Sequence, residues 1–151
     1  MLEQLRNYYR VNDSIATAGQ PIAEEFNLIK KANFDLVINL ALSDSPHAIK
    51  NEESLVTQAG MDYLHIPVDF KAPLLSDLQL FFDAMEKCKD KKLFIHCALN
   101  MRVSAFIFLY KTIKQQWPVQ KALLDLHAVW TPDKTWQDFI DSTLAQHNIE
   151  N

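Results

Sequence analysis

Residues 91–114, KKLFIHCALNMRVSAFIFLYKTIK, decide how the rest of the chain is read. Leu93, Phe94 and Ile95 form an apolar run between lysines, too short for a helix and typical of a buried parallel strand. The run ends at His96 and Cys97. Residues 97–102 then turn the chain, and from Val103 the pattern VSAFIFLYKTI is apolar nearly all round, which predicts a helix buried in the core. A strand, a tight loop and a buried helix in that order make an anion-binding arrangement. Unpaired N–H groups at the helix start, together with the helix dipole, favour a bound oxyanion and a thiolate over a thiol. Cys97 is therefore a candidate nucleophile. Arg102 adds a planar fork of donors matched to two oxygens of a phosphate. A thiolate and a fork around one loop point to phosphoryl transfer through a cysteinyl intermediate.

The stretch HCALNMRVS resembles the signature loop of cysteine-dependent protein tyrosine and dual-specificity phosphatases, which runs His, Cys, five residues, Arg, then Ser or Thr. It departs from that pattern in one respect, since only Ala98, Leu99, Asn100 and Met101 separate Cys97 from Arg102. Counting from Cys97, Asn100 falls where the family usually has glycine, and Asn is the residue that best replaces Gly in a left-handed conformation. Ser104 falls where the family has the hydroxyl that helps the thiolate leave. The arginine alone is displaced by one place, which at a helix start is a rotation of about 100°. The resemblance implies a nucleophile at Cys97, an oxyanion clamp at Arg102, and a substrate cradle formed by Ala98, Leu99, Asn100, Met101 and Ser104. It makes His96 a residue that fixes loop geometry from behind, and it requires neither a metal nor a cofactor. A six-residue loop closed by arginine also resembles the rhodanese-type sulfurtransferases, whose smaller ring of amides holds a persulfide.

The remaining segments separate these readings. Tyr8 to Val11 and Ile15 to Ala18 read as two extended pieces about a turn at Asn12 and Asp13. Pro21 suits the first turn of a helix whose apolar face is Ile22, Phe26 and Ile29. YRVNDSIATAGQP followed by such a helix resembles the opening of a bacterial branch of the phosphatase-like superfamily, related to the β-lactamase-hydrolase-like phosphatase domains, and unlike a rhodanese. Asp35 to Leu40 predicts a second buried strand, leading into a loop where Ser43, Asp44 and His47 stand beyond a strand end. Glu52 to Ala59 predicts a helix stopped by Gly60.

Tyr63 to Val68 predicts a third strand that runs into Asp69-Phe70-Lys71-Ala72-Pro73. The leaving oxygen of a phosphate ester needs a proton, which a carboxylic acid on a loop can donate. Asp69 stands where the phosphatase resemblance places that acid; read as a residue alone, it serves equally as a turn carboxylate. His65, inside an apolar strand, reads as a core histidine. Ser76 to Cys88 predicts an amphipathic helix that takes Cys88 into the core. Val119 to Trp130 and Thr131 to His147 predict two more helices, the second capped by Thr131 with Pro132 in its first turn. Trp130, Trp136, Phe139 and Ile140 read as core.

At 151 residues and 48% apolar content the chain suffices for one domain, residues 1–151, with a sizeable core. Strands alternating with helices predict a three-layer α/β/α fold with a central, mainly parallel sheet of four or five strands, and Cys97 at the carboxyl end of the central one. This is the dual-specificity phosphatase architecture. A net charge of −4 argues against nucleic acid or an acidic membrane as partner. Two cysteines without metal-ligand spacing suit a reducing compartment, and the absence of an apolar leader or an 18-residue apolar run makes cytoplasm the expected location. Three functions follow. The first is a cysteine-dependent phosphatase acting on a phosphorylated small molecule or phosphoprotein. The second is a sulfurtransferase using a Cys97 persulfide, and the third a catalytically weak module that holds phosphate or sulfate in the loop.

Overall fold

Along each central strand, alternate side chains enter opposite hydrophobic clusters. Leu36, Ile38, Leu93 and Ile95 face one side, while Val37 and Phe94 face the other. This period of two, with both faces apolar, puts the strands in the middle layer of three. The computed structural model describes residues 1–150. Its elements are β1 (Tyr9–Arg10), β2 (Ile15–Ala18), α1 (Glu25–Lys31), β3 (Leu36–Asn39), α2 (Glu52–Gln58), β4 (Asp62–His65), α3 (Leu75–Lys87), β5 (Leu93–His96), α4 (Met101–Leu109), α5 (Val119–Val129) and α6 (Lys134–Gln146).

The sheet order is β1-β2-β5-β3-β4, with β1 antiparallel and the other pairs parallel. Phe26 and Ile29 of α1 and Val56 of α2 fill one cluster; α3, α4, α5 and α6 supply the other, around Phe81, Phe106 and Trp136. The predicted architecture is the observed one, and β5 is the central strand. No helix among the described residues is long and apolar enough to cross a membrane.

The topology fixes where a ligand can sit. The chain leaves β3 toward α2 on one face and leaves β5 toward α4 on the other, so the loops after these adjacent parallel strands diverge and open a crevice beyond their carboxyl ends. His96 pairs in register with both Ala18 and Asn39, so Cys97 emerges level with Gly19 and Leu40.

Several boundaries differ from expectation for local reasons. Helix α1 begins at Glu25; the Glu25 carboxylate accepts the Ile22 N–H (2.9 Å), which leaves Ile22 outside the helix and 52% exposed, so only Phe26 and Ile29 of the predicted face reach the core. Strand β4 ends at His65 because Pro67 has no N–H for the ladder, although Ile66 and Val68 still donate to Asn39 O and Leu40 O. Helix α4 begins at Met101 rather than Val103, since Asn100 closes the loop at φ 67°. After Leu109 the helix widens into a π-helical turn, Tyr110–Lys114, which draws Lys111 and Thr112 inside. Helix α6 is capped by Asp133, whose carboxylate accepts the Trp136 N–H (2.9 Å), not by Thr131. Asp is the stronger N-cap of the two, and Pro132 precedes the helix.

Candidate active site

The loop from Cys97 to Asn100 is shaped by the N-terminal segment lying behind it. Gln20 N–H donates to Ala98 O (3.0 Å), and Asn7 Nδ2 donates to Leu99 O (2.9 Å). A trans peptide opposes its C=O and N–H, so fixing the Ala98 carbonyl on Gln20 turns the Leu99 N–H to the other side. The fit demands glycine at 19, because a Cβ there would stand 2.5 Å from Ala98 O. Asn100 is fully buried in the left-handed conformation expected for it, with Nδ2 donating to Asn7 O (2.9 Å) and Thr17 Oγ1 (3.0 Å). Its side chain therefore holds the loop to β2 rather than facing a ligand. Helix α4 starts at the next residue, where its first N–H groups have no intrahelical acceptor.

A cavity of about 550 Å³ opens above this loop, lined by Cys97, Ala98, Leu99, Met101 and Arg102 from one side. Leu42 and Asp44 to Pro46 form a second wall, and Asp69, Phe70 and Lys71 a third. Despite its shift by one place, Arg102 faces the same cavity as Cys97. It is buried, donates from one guanidinium nitrogen to Val68 O (2.8 Å), and stands 5.8 Å from the Phe70 ring centre. A guanidinium carries five N–H donors, so this bond leaves others for an oxyanion.

Asp69 lies across the cavity. One of its carboxylate oxygens accepts the Lys71 N–H (2.9 Å), so it is a turn carboxylate and a cavity wall at once. The following residue is anchored from below: Trp136 Nε1 donates to Phe70 O (2.8 Å), and the Phe70 ring lies 5.8 Å from Trp130 and 5.9 Å from Trp136. These tryptophans support the loop after β4 through Phe70 and do not line the cavity.

Behind Cys97 lies a buried polar chain. His96 is fully buried, with Nε2 2.6 Å from Glu52 Oε2 and Nδ1 3.1 Å from Cys97 O. Both ring nitrogens face acceptors. The ring therefore bridges the loop backbone and the Glu52 carboxylate. Gln20 Nε2 donates to the other carboxylate oxygen of Glu52 (2.7 Å). Burial works against the Glu52 charge, yet the hydrogen bonds from His96, Gln20 and Tyr63 and the His96 charge outweigh it and hold the carboxyl below its usual range. Burial also pushes the Tyr63 hydroxyl upward, assisted by Glu52.

Ser104 stands apart from the cavity. Its Oγ donates to Met101 O (3.0 Å) and borders a small space shared with Tyr9, Thr17 and Lys111. His65 donates to Ala41 O (2.6 Å) and is structural. His47 accepts from Arg6 (2.8 Å), and Ser43 belongs to a neighbouring cavity, so Asp44 alone of those three loop residues lines the site. Cys88 precedes β5 at its amino end, opposite Cys97. Gln20 and Glu52 were not singled out from sequence. Gln20 stands inside the TAGQP run, but Glu52 reads only as a favourable charge at a helix start. Among the described residues no cluster of three or more His, Cys, Asp or Glu side chains is placed to hold a metal.

Comparison with known proteins bears on this geometry. A family model described as "Polymorphic toxin system, DSP-PTPase phosphatase" matches residues 13–107. No curated protein sequence matches the chain. Among solved structures, a candidate phosphatase (DUF442) from Shewanella putrefaciens CN-32 is 35% identical with a TM-score of 0.86, covering 97% of this chain and 96% of that one. TpbA of P. aeruginosa in complex with phosphotyrosine has a TM-score of 0.71 at 15% identity, covering 94% of this chain and 90% of that one. PTPMT1 in complex with PI(5)P has a TM-score of 0.76 at 15% identity, covering 93% and 96%. The last two share the fold. With a family model over more than half its length and a one-third-identical relative over nearly all of it, the chain belongs to the DSP-PTPase phosphatase family.

Proposed function

We propose that residues 1–151 act as one phosphatase-like domain that hydrolyses a phosphomonoester through a cysteinyl phosphate on Cys97. The observation that carries this reading is the convergence of Cys97, Arg102 and Asp69 on one cavity at the carboxyl end of the central strand. The Cys97 thiolate attacks phosphorus while Arg102 and the amides of residues 98–102 hold the equatorial oxygens. As the P–O ester bond breaks, Asp69 gives its proton to the leaving oxygen. Asp69 Oδ1 is engaged by the Lys71 N–H, so Oδ2 carries that proton. A water then attacks phosphorus, Asp69 takes up its proton, and the P–S bond breaks to restore the thiolate. His96, held by Glu52, fixes the geometry of the loop through the Cys97 carbonyl. Ser104, bonded to Met101 O outside the cavity, takes no part in these steps.

The phosphotyrosine and PI(5)P bound by fold relatives support a phosphorylated substrate. A nucleophilic thiolate also suits a reducing cytoplasm.

Turnover of an aryl phosphate tests the proposal. Cys97→Ser is expected to abolish it, and Asp69→Ala to lower kcat by roughly 10²- to 10⁴-fold on alkyl phosphates and far less on nitrophenyl phosphate, whose leaving group needs no proton. The four-residue spacing between Cys97 and Arg102 favours a second reading, sulfane transfer. That reading requires thiosulfate to leave a persulfide on Cys97 that passes to cyanide and is indifferent to Asp69→Ala. A module that only holds an anion would bind phosphate and turn over neither substrate.

A further inference from the structure

We propose that Glu52 is a positioning residue of the reaction: through His96 and Gln20 it holds two consecutive loop carbonyls, those of Cys97 and Ala98, so that the Ala98 and Leu99 N–H groups face the phosphoryl oxygens. That role presupposes the phosphatase reading and adds a residue to it.

The carboxylate has one oxygen for each of two arms. Oε2 lies 2.6 Å from His96 Nε2, and Nδ1 of the same ring lies 3.1 Å from Cys97 O. Oε1 accepts from Gln20 Nε2 (2.7 Å), and the backbone N–H of the same Gln20 donates to Ala98 O (3.0 Å). Gln20 Nε2 donates as well to Pro21 O (3.0 Å), which fixes the plane of its amide.

Both carbonyls are thus turned toward His96 and Gln20, neither of which lines the cavity. The described residues include no cis peptide bond, and a trans peptide opposes its N–H and C=O, so the N–H groups of Ala98 and Leu99 turn to the other side. Among the described residues neither N–H meets an acceptor in the protein, and both residues line the cavity shared by Cys97 and Arg102. Two unpaired donors beside the sulfur suit a phosphoryl group whose equatorial oxygens carry the charge.

Stability alone explains Glu52 poorly. It is 7% exposed, and a buried pair of this kind is commonly matched in stability by apolar side chains of the same volume. An apolar side chain could not supply direction. Glu52 offers two acceptors at a fixed spacing from the first residue of α2, and the loop is tied to both.

The test compares Glu52→Ala, Glu52→Gln and Gln20→Ala with the wild type at a temperature where circular dichroism shows each fully folded, so that lost stability does not enter. Turnover of phenyl phosphate by Glu52→Ala should fall about 100-fold in kcat, as for a lost oxyanion donor. Calorimetric binding of inorganic phosphate, measured with Cys97→Ser added to each protein, should weaken about 10-fold in Glu52→Ala, as for one lost hydrogen bond to a charged group. Glu52→Gln keeps one acceptor oxygen and Gln20→Ala keeps the His96 arm, so both should lie between Glu52→Ala and the parent.

Unchanged phosphate affinity in folded Glu52→Ala would overturn the proposal, whatever happens to kcat. Should that variant not fold, unchanged affinity in both milder variants would overturn it equally. Inactivity of the wild type toward phenyl phosphate would overturn the phosphatase reading itself, whereas phosphate binding to Cys97→Ser needs no turnover and still decides the part played by Glu52.

Discussion

His96 and Glu52 illustrate how much of this site is set by a residue one step removed from the chemistry. The imidazole touches the Cys97 carbonyl and the carboxylate at once, and both groups are buried. Breaking a buried pair from one side leaves an uncompensated charge, so Glu52→Gln is expected to lower stability by about 3 kcal/mol. The pH dependence follows from the sign of the shift. The folded-state carboxyl of Glu52 lies below its ordinary value of 4.5, so its contribution is complete above that pH and is lost as pH falls through the depressed folded value. Chemical denaturation across pH 3 to 7 should show the wild type losing stability below about pH 4.5, and Glu52→Gln losing less over the same interval.

Cys97, Arg102, Asp69 and Asn100 could be singled out in the sequence by residue type and spacing; the first three line one cavity, and Asn100 is left-handed. Glu52 could not, because its partner lies 44 positions away and only the fold joins them. The direction of Arg102 was open for a related reason. A one-place shift at a helix start can aim a side chain either way until the true start, Met101, is known.

At the scale of elements, strand β2 and its extension determine the shape of the loop from Cys97 to Asn100. Thr17 meets the Asn100 amide, Gly19 approaches the Ala98 carbonyl at a distance no Cβ tolerates, and Gln20 donates to that carbonyl from its backbone while its side chain reaches the Glu52 carboxylate of α2. The TAGQP run was visible in the sequence as a motif, and its physical content is this set of contacts. Gly19→Ala forces the two backbones apart and is expected to destabilise by about 1–3 kcal/mol while displacing Ala98 and Leu99, which a drop in Tm together with reduced phosphate affinity would register. Asn100→Gly keeps the left-handed backbone but loses the ties to Asn7 and Thr17, so it should be milder than Asn100→Ala, which loses both. A larger loss of Tm for the glycine variant would contradict that ordering.

Element identities were readable throughout from periodicity, whereas starts and stops depended on single competing groups. Glu25 reached back to the Ile22 N–H ahead of α1, Asp133 capped α6, and Pro67 cut β4 short. The π-helical turn after α4 had no sequence signal, since its apolar pattern continues unbroken from the preceding helix.

Over the whole molecule, a mainly parallel sheet covered on both faces, with Cys97 after its central strand, follows from short buried strands alternating with helices and was legible in the sequence, whereas the strand order was not. Nor was the way the first strand is locked to the last helices. The Tyr9 hydroxyl donates to Asp125 of α5, and Asp125 also receives Lys111, so β1, the π-helical turn and α5 meet at one carboxylate. Burial and the bond to Asp125 push the Tyr9 hydroxyl up to about 12. A group whose folded value is raised stabilises fully below its ordinary value and loses that contribution as pH rises through the folded one. An ultraviolet titration should accordingly show one tyrosine, absent in Tyr9→Phe, ionising near pH 12, with stability falling between pH 10 and 12.

The central claim joins all three scales: a loop held from behind presents Cys97 to a phosphate gripped by Arg102. Rapid quenching of the protein during turnover of radiolabelled phenyl phosphate, followed by peptide mapping, tests it most directly. The account predicts a phosphoryl group on Cys97, absent in Cys97→Ser and accumulating when Asp69→Ala slows its hydrolysis. Turnover without label on Cys97, or label on any other residue, would contradict it.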